Sequence, residues 1–223
     1  MRDPLQYTLS AIKRPKFLAQ GHFGTYYFPM KKLIKGVIFD LDGTLIDSQL
    51  NFDQMRNDLG IKDNMPVLEF IEQHKDQEFQ KWAHQVVLDH EMKGAKNSVW
   101  INGALNFIEE VQNNDLPTAI LTRNCRQAVD IMIEKHRIPI ESVLTREDCL
   151  PKPNPAGLIQ IYKEWKLKAQ EILYVGDFYF DLETARRANT LFALYVNSQQ
   201  QPDFAQEADY VFNNYSDLAK KIL

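Results

Sequence analysis

The sequence predicts an α/β protein built on a parallel sheet, with a small helical insertion after the first strand. From Val37 onward, short apolar runs alternate with longer amphipathic stretches, which is the pattern of βαβ units. Between Ser48 and about Ser98 this alternation stops, and apolar residues recur at helical spacing instead. These two observations together predict a single parallel sheet interrupted by one helical segment.

The predicted strands are short runs of mainly apolar residues. Val37-Ile38-Phe39 is typical, because a strand buried on both faces of a parallel sheet needs a continuous apolar run. The predicted strands are Gly36 to Asp40, Thr118 to Thr122, Ser142 to Leu144, Ile172 to Gly176, Leu191 to Val196 and, with a weaker pattern, Tyr210 to Phe212.

Amphipathic segments between these runs predict the helices of the core. Asn154-Pro155 marks one helix start well, with asparagine as the N-cap and proline at the first helical position. The predicted helices are Gly103 to Val111, Arg126 to Lys135, Pro155 to Trp165, Phe180 to Ala188 and a short helix from Ser216.

The helical insertion divides the predicted core into two segments. We expect the insertion to cover residues 49–98 and the core to comprise residues 30–48 and 99–223. Residues 1–29 are basic, contain three prolines and lack clean periodicity, so we expect an extension. That extension is either flexible or the product of a start codon assigned too early, because Met30 would be a natural start.

Composition excludes several classes of function. The formal charge of −4 argues against a nucleic-acid-binding surface. The sequence has no run of eighteen apolar residues and no apolar N-terminal segment, so we expect neither a membrane span nor secretion. Two cysteines without metal-site spacing suit a cytoplasmic protein. The oligomeric state is not indicated.

Two aspartates at the end of the first strand need an explanation. Asp40 and Asp42 are two residues apart and so point to the same face of a strand, before Gly43 turns the chain. Two close, buried carboxylates repel each other and lose hydration. They must therefore share a cation, hold a proton or lie in water.

Polar residues also occur where later strands end. Thr122, Arg123 and Asn124 end the second strand, Lys152 precedes a helix in LPKPNP, and VGDFYFD supplies Asp177 and Asp181. Each signal alone is weak, because such residues are common in solvated loops and helix caps. In this order, each at a junction between a strand and a helix, they predict one crevice at the carboxyl ends of the strands.

The combination Asp-x-Asp-Gly-Thr, Thr, Lys and Gly-Asp-x-x-x-Asp resembles the haloacid dehalogenase-like (HAD) hydrolase superfamily, over roughly Ile34 to Phe212. Its phosphoglycolate phosphatase and β-phosphoglucomutase branch is the most similar. The resemblance implies a Rossmann-like parallel sheet core with a small α-helical cap. It also implies a Mg²⁺-dependent phosphatase that hydrolyses a small phosphorylated metabolite through an aspartyl-phosphate.

The resemblance assigns roles to four residues in the reaction. Asp40 would be the nucleophile, and Asp42 would protonate the leaving oxygen and then deprotonate the hydrolytic water. Thr122 would donate a hydrogen bond to the phosphoryl group. Lys152 would pair with the phosphate and the nucleophile, which neutralises charge that shifts in the transition state.

The resemblance also implies a metal site and leaves one substrate contact open. Mg²⁺ would be bound by Asp40, by the backbone carbonyl of Asp42 and by Asp177, with Asp181 either supporting these ligands from behind or replacing one of them. Family members often have asparagine directly after the threonine, whereas here Arg123 precedes Asn124. Arg123 would therefore either bind substrate or be a solvated residue at a helix start.

Two alternatives to a phosphatase stay open at this level. A phosphomutase of the β-phosphoglucomutase kind shares every core motif. A non-catalytic module that binds a phosphorylated ligand would keep the fold, although such proteins usually lose the nucleophile or the metal-binding acids.

Overall fold

The computed structural model describes residues 34–62, 65–197 and 201–223, so the predicted extension over residues 1–29 lies outside the described residues. The strands of the described residues are β1 (Gly36–Phe39), β2 (Ile46–Asp47), β3 (Val99–Trp100), β4 (Thr118–Leu121), β5 (Ser142–Leu144), β6 (Ile172–Gly176), β7 (Leu191–Tyr195) and β8 (Tyr210–Phe212). All six predicted strands are present, within one residue of their predicted ends.

Six of the strands form one parallel sheet, in the order β5-β4-β1-β6-β7-β8. The chain leaves β1 toward β4 and later returns to β6 on the other side of β1, so the direction of winding changes at β1. Phe39 pairs with Ile120 of β4 and with Val175 of β6, which places the carboxyl ends of the three strands side by side. In open α/β sheets, ligands bind outside the strands at this kind of switch point.

The helices match the predicted positions within about two residues. The helix that the sequence predicts to begin at Pro155 begins one residue later, at Ala156, so Pro155 is the N-cap residue. The Asn154 side chain accepts a hydrogen bond from the Ala156 N–H at 3.0 Å. None of the helices in the described ranges is both long and apolar enough to cross a membrane. The α-helices are α1 (Phe52–Asp58), α2 (Val67–Gln73), α3 (Gln77–Asn97), α4 (Ala104–Asn113), α5 (Arg126–His136), α6 (Ala156–Glu164), α7 (Tyr179–Ala188) and α8 (Tyr215–Ile222).

Helices cover both faces of the sheet. Because side chains alternate along a strand, Val37 and Phe39 pack with the helices α4, α5 and α8, whereas Ile38 packs with α6 and α7. Both layers are closed by fully buried apolar side chains, such as Ile108 of α4 and Ala185 of α7. This arrangement confirms the parallel sheet that the sequence pattern predicts and the Rossmann-like core that the family resemblance implies.

The predicted helical cap is present as α1, α2 and α3. It has an apolar core of its own, around Met55, Ile71, Ala83 and Val87. The boundaries of the cap at residues 48/49 and 98/99 stay a prediction. Next to them, β2 and β3 form an antiparallel pair that the sequence analysis missed, with Ile46 opposite Trp100. Two-residue strands are too short to produce a recognisable alternation.

The last helix supports the loop that follows β1. Tyr215 of α8 is buried, and its hydroxyl donates a hydrogen bond to the Thr44 carbonyl at 2.7 Å. The Tyr215 ring packs against Phe107 and Phe212. Helix α8, although it ends the chain, therefore fixes a loop near the first strand.

Tyr215→Phe should lower the free energy of unfolding by about 1–3 kcal/mol, because it keeps the ring and leaves the buried Thr44 carbonyl without its donor. Urea denaturation would measure the change. The control is Tyr162→Phe on the partly exposed face of α6, which should change it by less than about 0.5 kcal/mol. Equal effects of the two substitutions would contradict this role for Tyr215.

Candidate active site

All eight predicted site residues line one cleft at the carboxyl ends of β1, β4 and β6. The cleft has a volume of about 700 Å³. Seven of these residues follow a strand directly or lie in the loop after it, and Asp181 lies in the first turn of α7. The parallel register thus brings residues 141 positions apart into one site. The eight are Asp40, Asp42, Thr122, Arg123, Asn124, Lys152, Asp177 and Asp181.

Lys152 lies at the centre of the floor. Its ammonium group is 2.5 Å from Asp40 Oδ1 and 2.6 Å from Asp181 Oδ1, and the side chain is almost fully buried. Burial lowers the pKa of a lysine, but the charges of Asp181 and Asp40 outweigh it and raise the pKa of Lys152 above its ordinary value. Lys152 is therefore a charged group held between two carboxylates.

Tyr174 of β6 completes this group, and sequence analysis missed it. Its hydroxyl accepts a hydrogen bond from Lys152 at 3.0 Å and donates one to Asp181 at 2.8 Å. Burial, together with the nearby carboxylates of Asp181 and Asp40, raises the pKa of Tyr174 well above its usual range, so the hydroxyl stays protonated. A tyrosine in an otherwise aliphatic strand, ILYVG, is the signal that could have pointed to it.

The Asp42 carboxylate faces Asn124. The Asn124 amide donates to Asp42 Oδ2 at 3.0 Å, whereas Asp42 Oδ1 is buried without a hydrogen-bond partner in the described residues. Burial raises the pKa of Asp42, although the side chains of Ser48 and Asn124 work against it, and so favours the protonated carboxyl. Asn124 is itself anchored, since its backbone N–H donates to Thr122 Oγ1 at 3.0 Å.

Three carboxylates form a group that suits a divalent cation. Asp40, Asp177 and Asp181 each offer an oxygen, and these oxygens lie within 4.8 Å of one another. Burial raises the pKa of Asp40 well above its usual range and, together with the charge of Asp181, raises that of Asp177 to about 7. Hard oxygen ligands whose ionised forms need compensation fit Mg²⁺.

The two outer acids of this group have different surroundings. Asp181 Oδ1 is used by Lys152 and Tyr174, and its Oδ2 accepts the Phe178 N–H at 3.0 Å. Asp177 accepts a hydrogen bond from Thr44 Oγ1 at 3.2 Å. Asp181 is thus the more fully partnered of the two acids, and its place as a direct or an alternative metal ligand stays a prediction.

Gly43 lets the loop after β1 approach Asp177. Its φ of 82° is in the left-handed region, and a Cβ at this position would lie 2.3 Å from Asp177 Oδ2. Only glycine fits here without moving that carboxylate. The turn at Asp42-Gly43 therefore sets how closely the loop after β1 approaches Asp177.

Arg123 connects the core to the cap. Its Nη2 lies 2.8 Å from both carboxylate oxygens of Glu69 on α2, and its Nη1 donates to the Lys152 carbonyl. The guanidinium carbon is 4.5 Å from the centroid of the Phe180 ring. Arg123 is therefore not a solvated residue at a helix start, and its partner Glu69 was not identified from the sequence.

A second ion pair joins α3 to the core. Arg146 Nη2 lies 2.8 Å from Oε2 of the buried Glu91, and its Nη1 donates to the Arg123 carbonyl at 2.8 Å. Glu91 is four residues after Val87 on the buried stripe of α3. A buried acid on an apolar stripe needs a partner of opposite charge. The position of Glu91 was therefore the sequence signal that could have revealed this ion pair.

The cysteine nearest this ion pair has the properties of a structural residue. Burial and the charge of Glu91 raise the pKa of Cys125 to about 11, so it is a thiol at neutral pH. Both cysteines are free. Neither of them lines the cleft, whereas five aspartates do.

Comparison with known proteins identifies the class. Residues 37–195 match the haloacid dehalogenase-like hydrolase family, so this chain belongs to that family of hydrolases. An uncharacterised hydrolase from Saccharomyces cerevisiae is 28% identical over 198 residues, which are 86% of this chain and 90% of the yeast protein. A phosphoglycolate phosphatase from Photobacterium profundum is 26% identical, over 83% of this chain and 94% of its own.

A solved structure agrees on the fold. A HAD hydrolase from Entamoeba histolytica superimposes with a TM-score of 0.71 at 16% identity, over 84% of this chain and 97% of the other. The resemblance stated from the motifs is thus confirmed at the level of family and fold.

We predict that Mg²⁺ stabilises the protein more at pH 8 than at pH 5.5. Because the pKa of Asp177 is about 7 without metal, a proton occupies this ligand at low pH and competes with the cation. Below pH 7, Mg²⁺ affinity should fall by up to roughly tenfold per pH unit for one displaced proton. The melting temperature, measured with Mg²⁺ and with EDTA across this range, reports the difference.

The metal-free protein supplies the control. Because the pKa of Asp177 is higher in the folded than in the unfolded chain, its protonated form stabilises the fold. This contribution is complete below pH 3.8, the pKa of an unperturbed aspartate, and is lost as pH rises through about 7. The melting temperature in EDTA should therefore fall over this interval, and Asp177→Asn should reduce both that fall and the Mg²⁺ effect. An equal Mg²⁺ effect at both pH values would argue against Asp177 as a ligand.

Proposed function

We propose that this chain is a Mg²⁺-dependent phosphatase that hydrolyses a small phosphorylated metabolite through an aspartyl-phosphate on Asp40. The observation that carries the proposal is the contact of Asp40 with Lys152 on the floor of a cleft, which is also lined by a second, partly buried acid, Asp42. The relative named as a phosphoglycolate phosphatase supports the reaction class.

In the first step, the Asp40 carboxylate attacks phosphorus while the bond to the leaving oxygen breaks. Asp42 donates its proton to that oxygen, and burial supports this role because it raises the pKa of the carboxyl. Lys152, which contacts the nucleophile, balances the charge of the phosphoryl group electrostatically. Thr122 donates to a phosphoryl oxygen, since its oxygen already accepts the Asn124 N–H and its own proton can be directed to the substrate.

In the second step, water attacks the phosphorus of the aspartyl-phosphate. Asp42, now ionised, accepts a proton from that water, and the bond between phosphorus and the Asp40 oxygen breaks. Inorganic phosphate leaves, and Asp42 holds its proton again. Asn124 keeps the Asp42 carboxylate in one orientation through both steps by its hydrogen bond.

Asp40, Asp177 and the backbone carbonyl of Asp42 would hold Mg²⁺, with Asp181 beside them. When bound, the ion neutralises charge on the phosphoryl group and on the acids. Lys152 supplies a fixed positive charge at Oδ1 of the same nucleophile. The cap would exclude bulk water from the cleft during both steps.

Asp40→Asn should lower turnover of p-nitrophenyl phosphate by at least roughly a thousandfold, equivalent to ~4 kcal/mol of barrier. The substitution removes the nucleophile and a metal ligand but nearly conserves volume, so the fold should persist. Release of p-nitrophenol in the presence of Mg²⁺ measures turnover, and circular dichroism checks the fold. Activity within about tenfold of the wild type would exclude the covalent route.

The wild-type assay separates a phosphatase from a binding module. It should be run with EDTA, with Mg²⁺ and with other divalent cations, on p-nitrophenyl phosphate and on a panel of phosphorylated metabolites. Phosphate release that depends on both Asp40 and the metal supports the proposal. Failure across metals and substrates would favour the non-catalytic alternative.

Asp42→Asn should affect substrates according to their leaving groups. Alkyl phosphates, whose alcohols need a proton, should lose roughly 10²–10⁴-fold in rate, whereas the first step with p-nitrophenyl phosphate should change little. Because the second step also loses its base, p-nitrophenol should appear as a burst and aspartyl-phosphate should be trapped on Asp40. Rapid quench with labelled substrate measures both.

A different pattern would reassign Asp42. Its backbone carbonyl survives the substitution, so Mg²⁺ affinity should be largely kept. Equal losses for alkyl and aryl substrates, no burst and weaker Mg²⁺ binding would show that Asp42 acts in the metal site and not as the acid.

A further inference from the structure

The walls of the active-site cleft differ in character from its floor. The floor holds the charged residues described above, whereas the walls are mostly apolar. The cap contributes Phe52, Met55, Val67, Leu68 and Val87, and the core contributes Phe178 and Tyr179. A cleft of about 700 Å³ is within the range of pockets that hold drug-sized ligands. It exceeds what a phosphoryl group with a two-carbon acid would fill.

Exposed aromatic rings are concentrated at this cleft. Within the described residues, four aromatic side chains are exposed, and three of them, Phe52, Phe178 and Tyr179, line it. Phe52 begins α1 on the cap side, with 52% of its surface exposed, and Phe178 precedes α7 on the core side, with 56% exposed. Clustered apolar surface that stays in contact with water is typical of a binding site.

The cations of the cleft are paired with protein carboxylates. In the part of the chain that the structure describes, three cations line it. Lys152 contacts Asp40 and Asp181, and Arg123 contacts both oxygens of Glu69. Arg56 contacts Asp53, which is 88% exposed, so Arg56 has the weakest partner.

This distribution of charge disfavours a second anionic group on the substrate. Such a group would have to displace Glu69 from Arg123 or recruit Arg56, and elsewhere it would lie against apolar walls that cannot solvate it. An apolar or aromatic leaving group, in contrast, would cover the exposed rings of Phe52 and Phe178 and release water from them.

We propose that the substrate is a phosphate monoester whose leaving group has an apolar or aromatic body and no second anionic group, with Phe52 and Phe178 as specificity-determining residues. This inference rests on the phosphatase function proposed above. It differs from phosphoglycolate, the substrate in the name of a relative, which carries a carboxylate next to its phosphate.

The test compares three alkyl phosphates at saturating Mg²⁺. Ethyl phosphate and 2-phenylethyl phosphate differ by one phenyl ring, and 2-phosphoglycolate differs from ethyl phosphate by a carboxylate. We expect kcat/KM for 2-phenylethyl phosphate to exceed that for ethyl phosphate by roughly 10- to 100-fold, which corresponds to burying one ring. The value of kcat/KM for 2-phosphoglycolate should not exceed that for ethyl phosphate.

Matched variants locate the preference. Phe52→Ala should reduce the ratio of kcat/KM between 2-phenylethyl and ethyl phosphate by about fivefold or more. Trp82→Ala is the control, because it removes an equally exposed aromatic ring from the cap outside the cleft, and the ratio should stay within about twofold. A ratio that Trp82→Ala lowers as much as Phe52→Ala does would overturn the role of Phe52.

A preference for 2-phosphoglycolate that Arg56→Gln abolishes would overturn the inference and would identify Arg56 as the reader of a second anionic group. Binding keeps this outcome separate from failure of the phosphatase function. By calorimetry, 2-phenylethylphosphonate should bind at least about tenfold more tightly than ethylphosphonate, whether or not the protein hydrolyses esters. Equal binding would overturn the inference, whereas absent turnover with the expected binding would overturn the phosphatase function alone.

Discussion

The ammonium group of Lys152, buried between the carboxylates of Asp40 and Asp181, is the interaction on which the rest of the site depends. Three carboxylates whose oxygens lie within 4.8 Å of one another repel strongly away from water. Lys152 compensates two of them directly, and the protonated hydroxyl of Tyr174 shares the contact with Asp181. Loss of one partner of a buried ion pair typically costs 3–5 kcal/mol, about half the stability of an ordinary domain. Lys152 and Tyr174 therefore hold the carboxylates of Asp40 and Asp181 in place on the floor.

The cap is held to this floor by two ion pairs with different surroundings. Arg123 reaches Glu69 on α2 at the cleft, where both side chains are partly exposed, while Arg146 reaches the buried Glu91 on α3. A buried ion pair is screened less by solvent than an exposed one, so Arg146 and Glu91 attach the cap to the core more firmly than Arg123 and Glu69 do. Helices α1 and α2, which lack the buried ion pair of α3, are therefore the part of the cap whose position a substrate could most readily change.

The floor and the walls of the cleft determine different properties of the protein. The floor contains the motifs shared with the HAD-like hydrolases, and it accounts for the phosphoryl chemistry that we propose. The walls come mainly from the cap, where Phe52 and Leu68 present apolar surface. Resemblance to a named relative at 26% identity therefore indicates the reaction class better than it indicates the leaving group.

The sequence by itself predicted the order along the chain of the six strands of the parallel sheet and of the core helices, and it identified eight site residues that all line the cleft. It could do so because apolar periodicity is a local property, and because a parallel sheet brings the ends of its strands together whatever the loops do. Only the tertiary structure decided the partners: Glu69 for Arg123, Glu91 for Arg146, and Tyr174 for Lys152. These contacts join residues 22 to 55 positions apart, and which side chains meet at such separations depends on how the cap and the sheet pack, because periodicity records that a face is buried but not what lies against it.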